Sequence, residues 1–485
     1  MMRTVLFAVA TSVIGLGWLT QGMAATPGAP STLKPNVVIV LADDLGYGDL
    51  GSYGATDIRT PNLDRLARAG VRFTDAYANA PVCTPTRAAL ISGRYQQRAG
   101  IEFVLTDEAE DRERGLAVTG TSLPALLSHQ GYATGLVGKW HLGFKPELGP
   151  NAQGFHEFYG FLAGAVDYYS HTRGSGTPDL YENGKAMRSS RYLTDEISAR
   201  AVRFIDRHAN EPFFLEVAYN APHWPFQPPD LPTSDWRRQG PPHPEAVGDR
   251  RLIQMPDDSR PATRADYVRM VERLDAGVGR ILDALDRHGK TRDTLVIFSS
   301  DNGGEWLSRN APFFHRKISL WEGGIRVPLL MRWPARLAAG KTSEQPAITL
   351  DLNATILAAS GVTIPSGYAP DGIDLIPTLA GEAPAIERSL FWRHTRPERQ
   401  QKAVRAGQWK LLIDGGQYFL FDLKTDSAER DDQAAQHPEI VSKLKAMLAE
   451  WEKDVDGDAA ASKGNVSDSS QRSTPRTSDA APSRS

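Results

Sequence analysis

Cysteine is nearly absent from this chain. Cys83 stands alone among 485 residues, so no disulfide can form within the chain and the fold must be held by its core. Neither sign of charge is in excess. The 55 Lys and Arg against 58 Asp and Glu leave a net −3, which gives no reason to expect nucleic-acid or membrane-surface binding. Past the N-terminus no stretch is apolar for long enough to span a bilayer, and no internal repeat is evident. What remains is the composition of a globular chain, 41% hydrophobic and 23% charged. The length suits one large domain plus a smaller one, or two to three ordinary domains.

The first residues read as an export signal. Arg3 supplies positive charge, Thr4 to Thr20 is apolar, and Gly22-Met23-Ala24 offers small residues for cleavage. An uncleaved anchor is the alternative, but the apolar run falls short of the ~18–20 residues that a span needs. The expectation is a signal peptide over 1–24 and a linker over 25–35. The mature protein would then be periplasmic or secreted, with no stable membrane insertion.

Asn36-Val-Val-Ile-Val-Leu41 is a β-branched run of the kind buried on both faces of a parallel sheet. Strands and capped helices alternate from there to about residue 360. Helices are expected over Thr60–Gly70, Thr121–Gly131, Asp195–His208, Arg264–Leu285 and Glu344–Ser360. Val71–Tyr77 reads as one short strand leading to the cysteine. Four short strands between Leu390 and Phe421, separated by Gly- and Asp-containing turns, then a helix over Pro438–Val455, suggest a small antiparallel unit. The fold class is therefore α/β: a large, mixed, mostly parallel sheet flanked by helices over 36–365, and a smaller antiparallel sheet plus helix over 366–455. The Ser-, Asp- and Pro-rich stretch 456–485 reads as a disordered tail.

Cys83-Thr-Pro85-Thr-Arg87-Ala-Ala-Leu-Ile-Ser-Gly93-Arg94 places the lone thiol at or just before a helix start, with Arg87 one turn on along the same face. An unpaired cysteine is either an inert apolar filler or a reaction centre. A helix N-terminus beside a guanidinium suits an anionic substrate. Asp43-Asp44 ends the first strand; the pair either holds a cation or caps the following turn. Lys139 and His141, in Gly138-Lys-Trp-His-Leu-Gly143, alternate toward one side if that segment is extended. They mark either an anion site or an ordinary loop. Prolines flank His223, which would hold it in an extended, rigid loop. Ser300-Asp301-Asn302-Gly-Gly ends a second buried strand, and Lys317 precedes Glu322-Gly-Gly. Strand-end constellations of an open α/β sheet converge on one cleft beyond the carboxyl ends of the strands.

Together these motifs resemble the formylglycine-dependent, arylsulfatase-like sulfatases of the alkaline-phosphatase superfamily, from about Pro35 to Asp454 and in the family's order. They are Leu41-Ala-Asp-Asp-Leu-Gly-Tyr-Gly-Asp49, Cys83 to Arg94, Gly138-Lys-Trp-His141, Ala221-Pro-His223, Ser300-Asp-Asn-Gly303 and Lys317 before Glu322-Gly-Gly. The resemblance implies a sulfuric ester hydrolase acting on sulfated carbohydrates or aryl sulfates. It implies that a maturation enzyme converts Cys83 to formylglycine, whose hydrate attacks sulfur. It also implies a cation held by Asp43, Asp44, the modified Cys83, Asp301 and Asn302. Three carboxylates and an amide form a hard donor set that suits Ca²⁺ before Mg²⁺. Arg87, Lys139, His141, His223 and Lys317 would offset charge on the sulfuryl group. Lys139, His223 and Lys317 would touch substrate, and His223 or Lys317 would protonate the leaving alcohol. Asp301 would accept the proton of the attacking hydroxyl, and His141 the proton of the second.

Two rivals remain at this level: a formylglycine-dependent phosphonate or phosphate ester hydrolase, and a non-catalytic sulfated-glycan-binding protein. The loops Ile101–Leu116, Asn151–Leu193 and Phe226–Pro261, with Trp306–Phe314, are expected to choose the substrate. Aromatics in the second of these loops either cover the core or stack on sugars.

Overall fold

The computed structural model describes residues 34–229, 239–240, 260–396 and 399–471. The expected signal peptide, nearly all of the linker and most of the loop 226–261 lie outside these residues.

Ten strands form the main sheet. At its centre β1 (Asn36–Ala42) lies between β8 (Phe213–Ala218) and β11 (Thr294–Ser300). Beyond β8 follow β4 (Ala133–Lys139) and β5 (Glu157–Phe161), and neighbouring strands from β11 to β5 pair in parallel. One edge is completed by β12 (Leu329–Arg332), β2 (Val71–Phe73) and β13 (Lys341–Ser343), the other by β6 (Tyr181–Glu182) and β7 (Lys185–Ala186). Two short pairs lie apart, β3 (Ala76–Tyr77) with β14 (Ala347–Ile348) and β9 (Gln239–Gly240) with β10 (Arg260–Pro261).

The alternation of side chains along β1 builds both cores. Val38, Val40 and Ala42 face α1 (Pro61–Arg68), α4 (Leu193–His208) and α5 (Arg264–Arg287). Val37, Ile39 and Leu41 face α2 (Cys83–Ser92), α3 (Leu123–His129) and α7 (Thr349–Ala359). A third core joins α2 and α6 (Glu322–Ile325) to a four-stranded antiparallel sheet, β15 (Ser389–Arg396), β16 (Arg399–Ala406), β17 (Trp409–Asp414) and β18 (Gln417–Asp422). The last helix, α9 (Pro438–Gln471), covers that sheet, and α8 (Ile376–Leu379) lies in the connection leading to it. A buried ion pair also ties the two parts: Lys410 donates to Glu322 at 2.8 Å and to Glu429 at 2.8 Å. Among the described residues no helix is long and apolar enough to cross a membrane.

Some expected elements differ. Val71–Tyr77 is two strands in two sheets, because Asp75 turns away to pair with Arg326 and Arg405. The helix expected from Glu344 starts at Thr349, since Ala347 and Ile348 pair with β3 instead. The last helix runs past Val455 to Gln471, so the first part of the stretch expected to be disordered is helical; 472–485 lie outside the described residues. Asn353, in an Asn-x-Thr sequon, is fully buried and donates to Leu90 O at 2.8 Å, which leaves no room for a glycan.

Glu216 sits mid-strand in β8, 4% exposed, with no partner for Oε2. Burial pushes its carboxyl up to about 7 from an ordinary 4.5, against the pull of Arg87. An acid with a raised folded-state pKa loses stability as pH rises above its unfolded value, with the loss complete above the folded value. Glu216→Gln is therefore expected to stabilise the protein at pH 8 by on the order of 3 kcal/mol, and little at pH 4.5. Thermal melts of both proteins across this range check it.

Candidate active site

The strand ends carry the site. Asp43 follows β1 and is pinned by its N–H to Ala221 O at 3.2 Å. Asp44 takes a left-handed backbone, φ 62°, which turns its carboxylate back toward Asp301 and Asn302. Asp44 N donates to Asp301 Oδ1 at 3.3 Å, and Asn302 Nδ2 donates to Asp44 Oδ1 at 2.7 Å. Cys83 opens α2, and its Sγ lies 3.7 Å from Asp43 Oδ1. Arg87, one turn on, forks onto Asp301 Oδ2 with Nε at 3.1 Å and Nη2 at 2.8 Å. Lys139, the last residue of β4, donates to Asp43 Oδ2 at 2.6 Å. Lys317 donates to Asp44 Oδ2 at 2.7 Å, and His223 Nε2 is 3.5 Å from the same oxygen.

Glycines make the approach of the last segments possible. Gly303 N donates to Gly324 O at 2.9 Å, and a Cβ on Gly303 would stand 2.0 Å from Gly323 O. This packs Asp301-Asn302-Gly-Gly directly on Glu322-Gly-Gly. Lys317 N then reaches Gly304 O at 3.2 Å, and Ile318 N reaches Pro81 O at 2.8 Å, beside the cysteine.

Two local expectations are corrected. The chain does not stay extended through His141, whose φ is 60°. β4 ends at Lys139, and His141 Nε2 pairs with Leu105 O at 2.8 Å. Nor is His223 in an extended loop. The Ala221-Pro222 and Trp224-Pro225 peptides are cis, and His223 N closes a tight turn on Asn220 O at 2.9 Å. Tyr168 holds that turn by donating to Asn220 O and His223 O, each at 2.9 Å. Phe155, Phe158 and Tyr159 of the same loop are buried in the cores as cover.

The charges sort the carboxyls by their partners. Burial pushes Asp43 well above the usual carboxylate range, and the nearby Asp301 adds to it against Lys139. Burial also acts on Asp44, but Lys317 and His223 outweigh it and bring its carboxyl down to about 2. Arg87, then Lys139, hold Asp301 below its ordinary value against burial. His223 is raised to about 9, since Asp44 overcomes the cost of burying its charge. His141 is driven well below its ordinary value by burial and by Lys139, so it stays neutral. Burial opposes ionisation of the Cys83 thiol, but Lys139 and Lys317 outweigh it and lower its pKa.

Among the described residues Asp43, Asp44, Cys83 and His223 bring metal-ligand atoms within 4.8 Å of one another. The arrangement fits a hard cation. Asn302 Oδ1 is buried without a partner, and the crowding of Asp43 against Asp301 is of the kind a cation relieves. His223, raised to about 9 beside Asp44, offers one of these ligand atoms as well. Nine of the ten residues singled out in the sequence are thus linked by contacts of less than 4 Å; the tenth, His141, bonds to Leu105 O instead.

One neighbour was missed, Glu305, whose Oε2 lies 3.9 Å from Lys317 Nζ. Its only sequence signal is its place directly after Gly303-Gly304. Two of the expected loops are tied to each other: Arg173 bridges Asp107 at 2.7 Å and Asp179 at 3.1 Å.

Residues 35–362 match the family model described as Sulfatase. The chain belongs to the sulfatase family. A second model, N-sulphoglucosamine sulphohydrolase, C-terminal, matches residues 311–454 of this sulfatase. It is 34% identical to arylsulfatase A of Bos taurus over 500 residues, covering 89% of this chain and 91% of that one. It is also 34% identical to N-acetylgalactosamine-6-sulfatase of Homo sapiens, covering 76% and 70%. Among solved structures, Ps i-CgsB in complex with k-i-k-neocarrahexaose superposes with a TM-score of 0.76 at 33% identity, over 86% of this chain and 93% of that chain. BT4656 in complex with D-glucosamine-2-N,6-O-disulfate gives 0.69 at 25%, over 87% and 98%. The sulfatase fold is accordingly of the alkaline-phosphatase-like type, and the chain is a sulfate-ester-hydrolysing enzyme.

Proposed function

We propose that this sulfatase removes sulfate from sulfated carbohydrates, with a formylglycine made from Cys83 and a Ca²⁺ ion, after export to the periplasm or the medium. The observation that carries the chemistry is the ring of fixed charges around Cys83 Sγ: Asp43, Lys139 and Lys317 on strand and loop ends, Arg87 behind on the helix. The carbohydrate class is supported by the two sugar complexes among the similar structures.

Asp43, Asp44, Asp301 and Asn302 would hold the cation with the oxygen carried at position 83. Formylglycine at position 83 would supply a hydrated aldehyde as nucleophile, and a cation held there would lower the pKa of its hydroxyl and offset sulfuryl charge. The chain's own groups do the rest. Arg87 and Lys139, both buried and bonded to carboxylates, fix the floor of the site at the helix start. Lys317 and His223 meet at Asp44 Oδ2 and bind the sulfuryl oxygens. His223 carries a proton near neutral pH and hands it to the leaving alcohol. His141 stays neutral and buried, with Nδ1 unpartnered, and so can accept a proton.

The first test is mass spectrometry of the Cys83 peptide from protein made with a formylglycine-generating enzyme. The second is turnover of a panel of sulfated mono- and oligosaccharides beside aryl sulfates and aryl phosphonates. Conversion of Cys83 with hydrolysis of the sulfates is expected; an active protein with an unmodified thiol, or preference for phosphonates, defeats the reading. Cation binding has its own measurement. Adding Ca²⁺ to EGTA-stripped protein is expected to raise the melting temperature by several degrees, as binding at a hundredfold excess over Kd adds about 2.7 kcal/mol. Mg²⁺ should do less. No shift with either ion removes the cation from the proposal.

A further inference from the structure

The side chains of the site are not equally buried. Asp43, Asp301 and Asn302 are 0% exposed and Arg87 is 2%. His223 and Glu305 keep 15% of their side-chain surface, and Lys317 keeps 8%. Among the site's charged groups these three are the most exposed, so a substrate that reached the site would meet them.

Glu305 is out of place in an anion site. Its carboxylate has one ion contact, Lys317 Nζ at 3.9 Å, and accepts no hydrogen bond among the described residues. Lys317 is already committed to Asp44 at 2.7 Å. A carboxylate beside a sulfate ester repels it, and its acceptor capacity is unspent. The loop that carries it is rigid. Asn310 clamps Gly304 by accepting from its N–H at 2.8 Å and donating to its carbonyl at 2.9 Å. Ser308 N closes the turn on Glu305 O at 2.8 Å. Such a group is pre-organised to select rather than to react.

We infer that Glu305 is a specificity-determining residue, whose carboxylate accepts a hydrogen bond from a free hydroxyl of the sugar that bears the sulfate, next to the ester held by Lys317 and His223. The inference rests on the proposed sulfated-carbohydrate function. An aryl sulfate offers no such donor, so it meets only the repulsion. Glu305 thus favours a hydroxylated carrier, because its repulsion falls on every sulfate ester and only a sugar hydroxyl offsets it.

The test compares formylglycine-bearing wild type, Glu305→Gln and Glu305→Ala. Each is assayed with 4-nitrophenyl sulfate and with the sulfated monosaccharide the wild type turns over best, and melting temperatures verify folding. The ratio of kcat/KM for the sugar to kcat/KM for the aryl sulfate is expected to fall roughly 10- to 100-fold in Glu305→Ala, the range for removing a hydrogen bond to a charged group. Glu305→Gln keeps an acceptor oxygen and is expected to fall in between. A merely structural role would lower both substrates together and leave the ratio unchanged. An unchanged ratio in an active enzyme overturns the role of Glu305 alone, as does a wild type that hydrolyses aryl sulfates but no sulfated sugar. A formylglycine-bearing protein inactive on every sulfate ester overturns the proposed function, and this role with it.

Discussion

Cys83→Ala is expected to lower sulfate-ester turnover at least about 10⁴-fold, in line with the loss of other catalytic nucleophiles. The fold should survive. Cys83 is 2% exposed, and its Sγ contact with Asp43 Oδ1, at 3.7 Å, is long and weak. Removing one sulfur from a helix start that is otherwise held by Thr86, bonded to Ala80 N and O at 3.0 and 3.1 Å, costs about 1 kcal/mol. The steady-state rate on an aryl sulfate and a thermal melt separate the two effects. Undiminished turnover in Cys83→Ala would mean that position 83 carries no nucleophile. The electrostatics around it would then need another purpose, since Lys139 and Lys317 lower the pKa of the thiol against its burial.

Asp301→Asn is expected to have the next largest effect, on both stability and catalysis. Asp301 is the partner that lets Arg87 stay charged in the interior: two guanidinium nitrogens share its Oδ2. Arg87 cannot shed its proton, so neutralising Asp301 leaves a buried charge with Asp43 Oδ1, at 3.9 Å, as its remaining salt-bridge partner among the described residues. Breaking such a pair costs roughly 3–5 kcal/mol. The same substitution removes a carboxylate from the proposed cation set and leaves Arg87, Lys139 and Lys317 facing the two that remain in it. This makes binding of a divalent ion harder. Turnover is expected to fall by about 10³-fold, equivalent to the several kcal/mol a catalytic cation contributes. The Ca²⁺-dependent rise in melting temperature should vanish as well. A variant that keeps both the rise and the rate would exclude Asp301 from the cation site. Denaturant unfolding at saturating Ca²⁺ and in EGTA tells the two losses apart, because the Arg87 penalty persists without the ion.

The site was unusually legible along the chain because its groups sit where regular elements end. A β-branched strand that stops at two aspartates, or a helix that opens on Cys83 and carries Arg87 on its next turn, announces both the element and the polar group at its tip. Each such reading needs only neighbours in sequence, since helix starts and buried strands follow from local preference and period. The readings that changed depended on partners far away. His141 leaves the extended path because Leu105 O offers a bond, and His223 sits in a turn held by Tyr168. Val71–Tyr77 divides because Asp75 is claimed by Arg405 from the C-terminal sheet. Glu305 had no local mark beyond two preceding glycines; only its 3.9 Å approach to Lys317 gives it meaning.

By itself, then, the sequence determined the elements, their order, the family likeness and the list of polar groups at the strand ends. Tertiary structure decided what those groups are to one another. The bond from Asn302 to Asp44 spans 258 positions, and the one from Lys317 to Asp44 spans 273. Coulomb interactions and desolvation act through a few ångströms of space and take no account of separation along the chain. That is why the neutral His141, the protonated His223, the low Asp44 and the unsatisfied Glu305 emerge only once the strand ends are brought together.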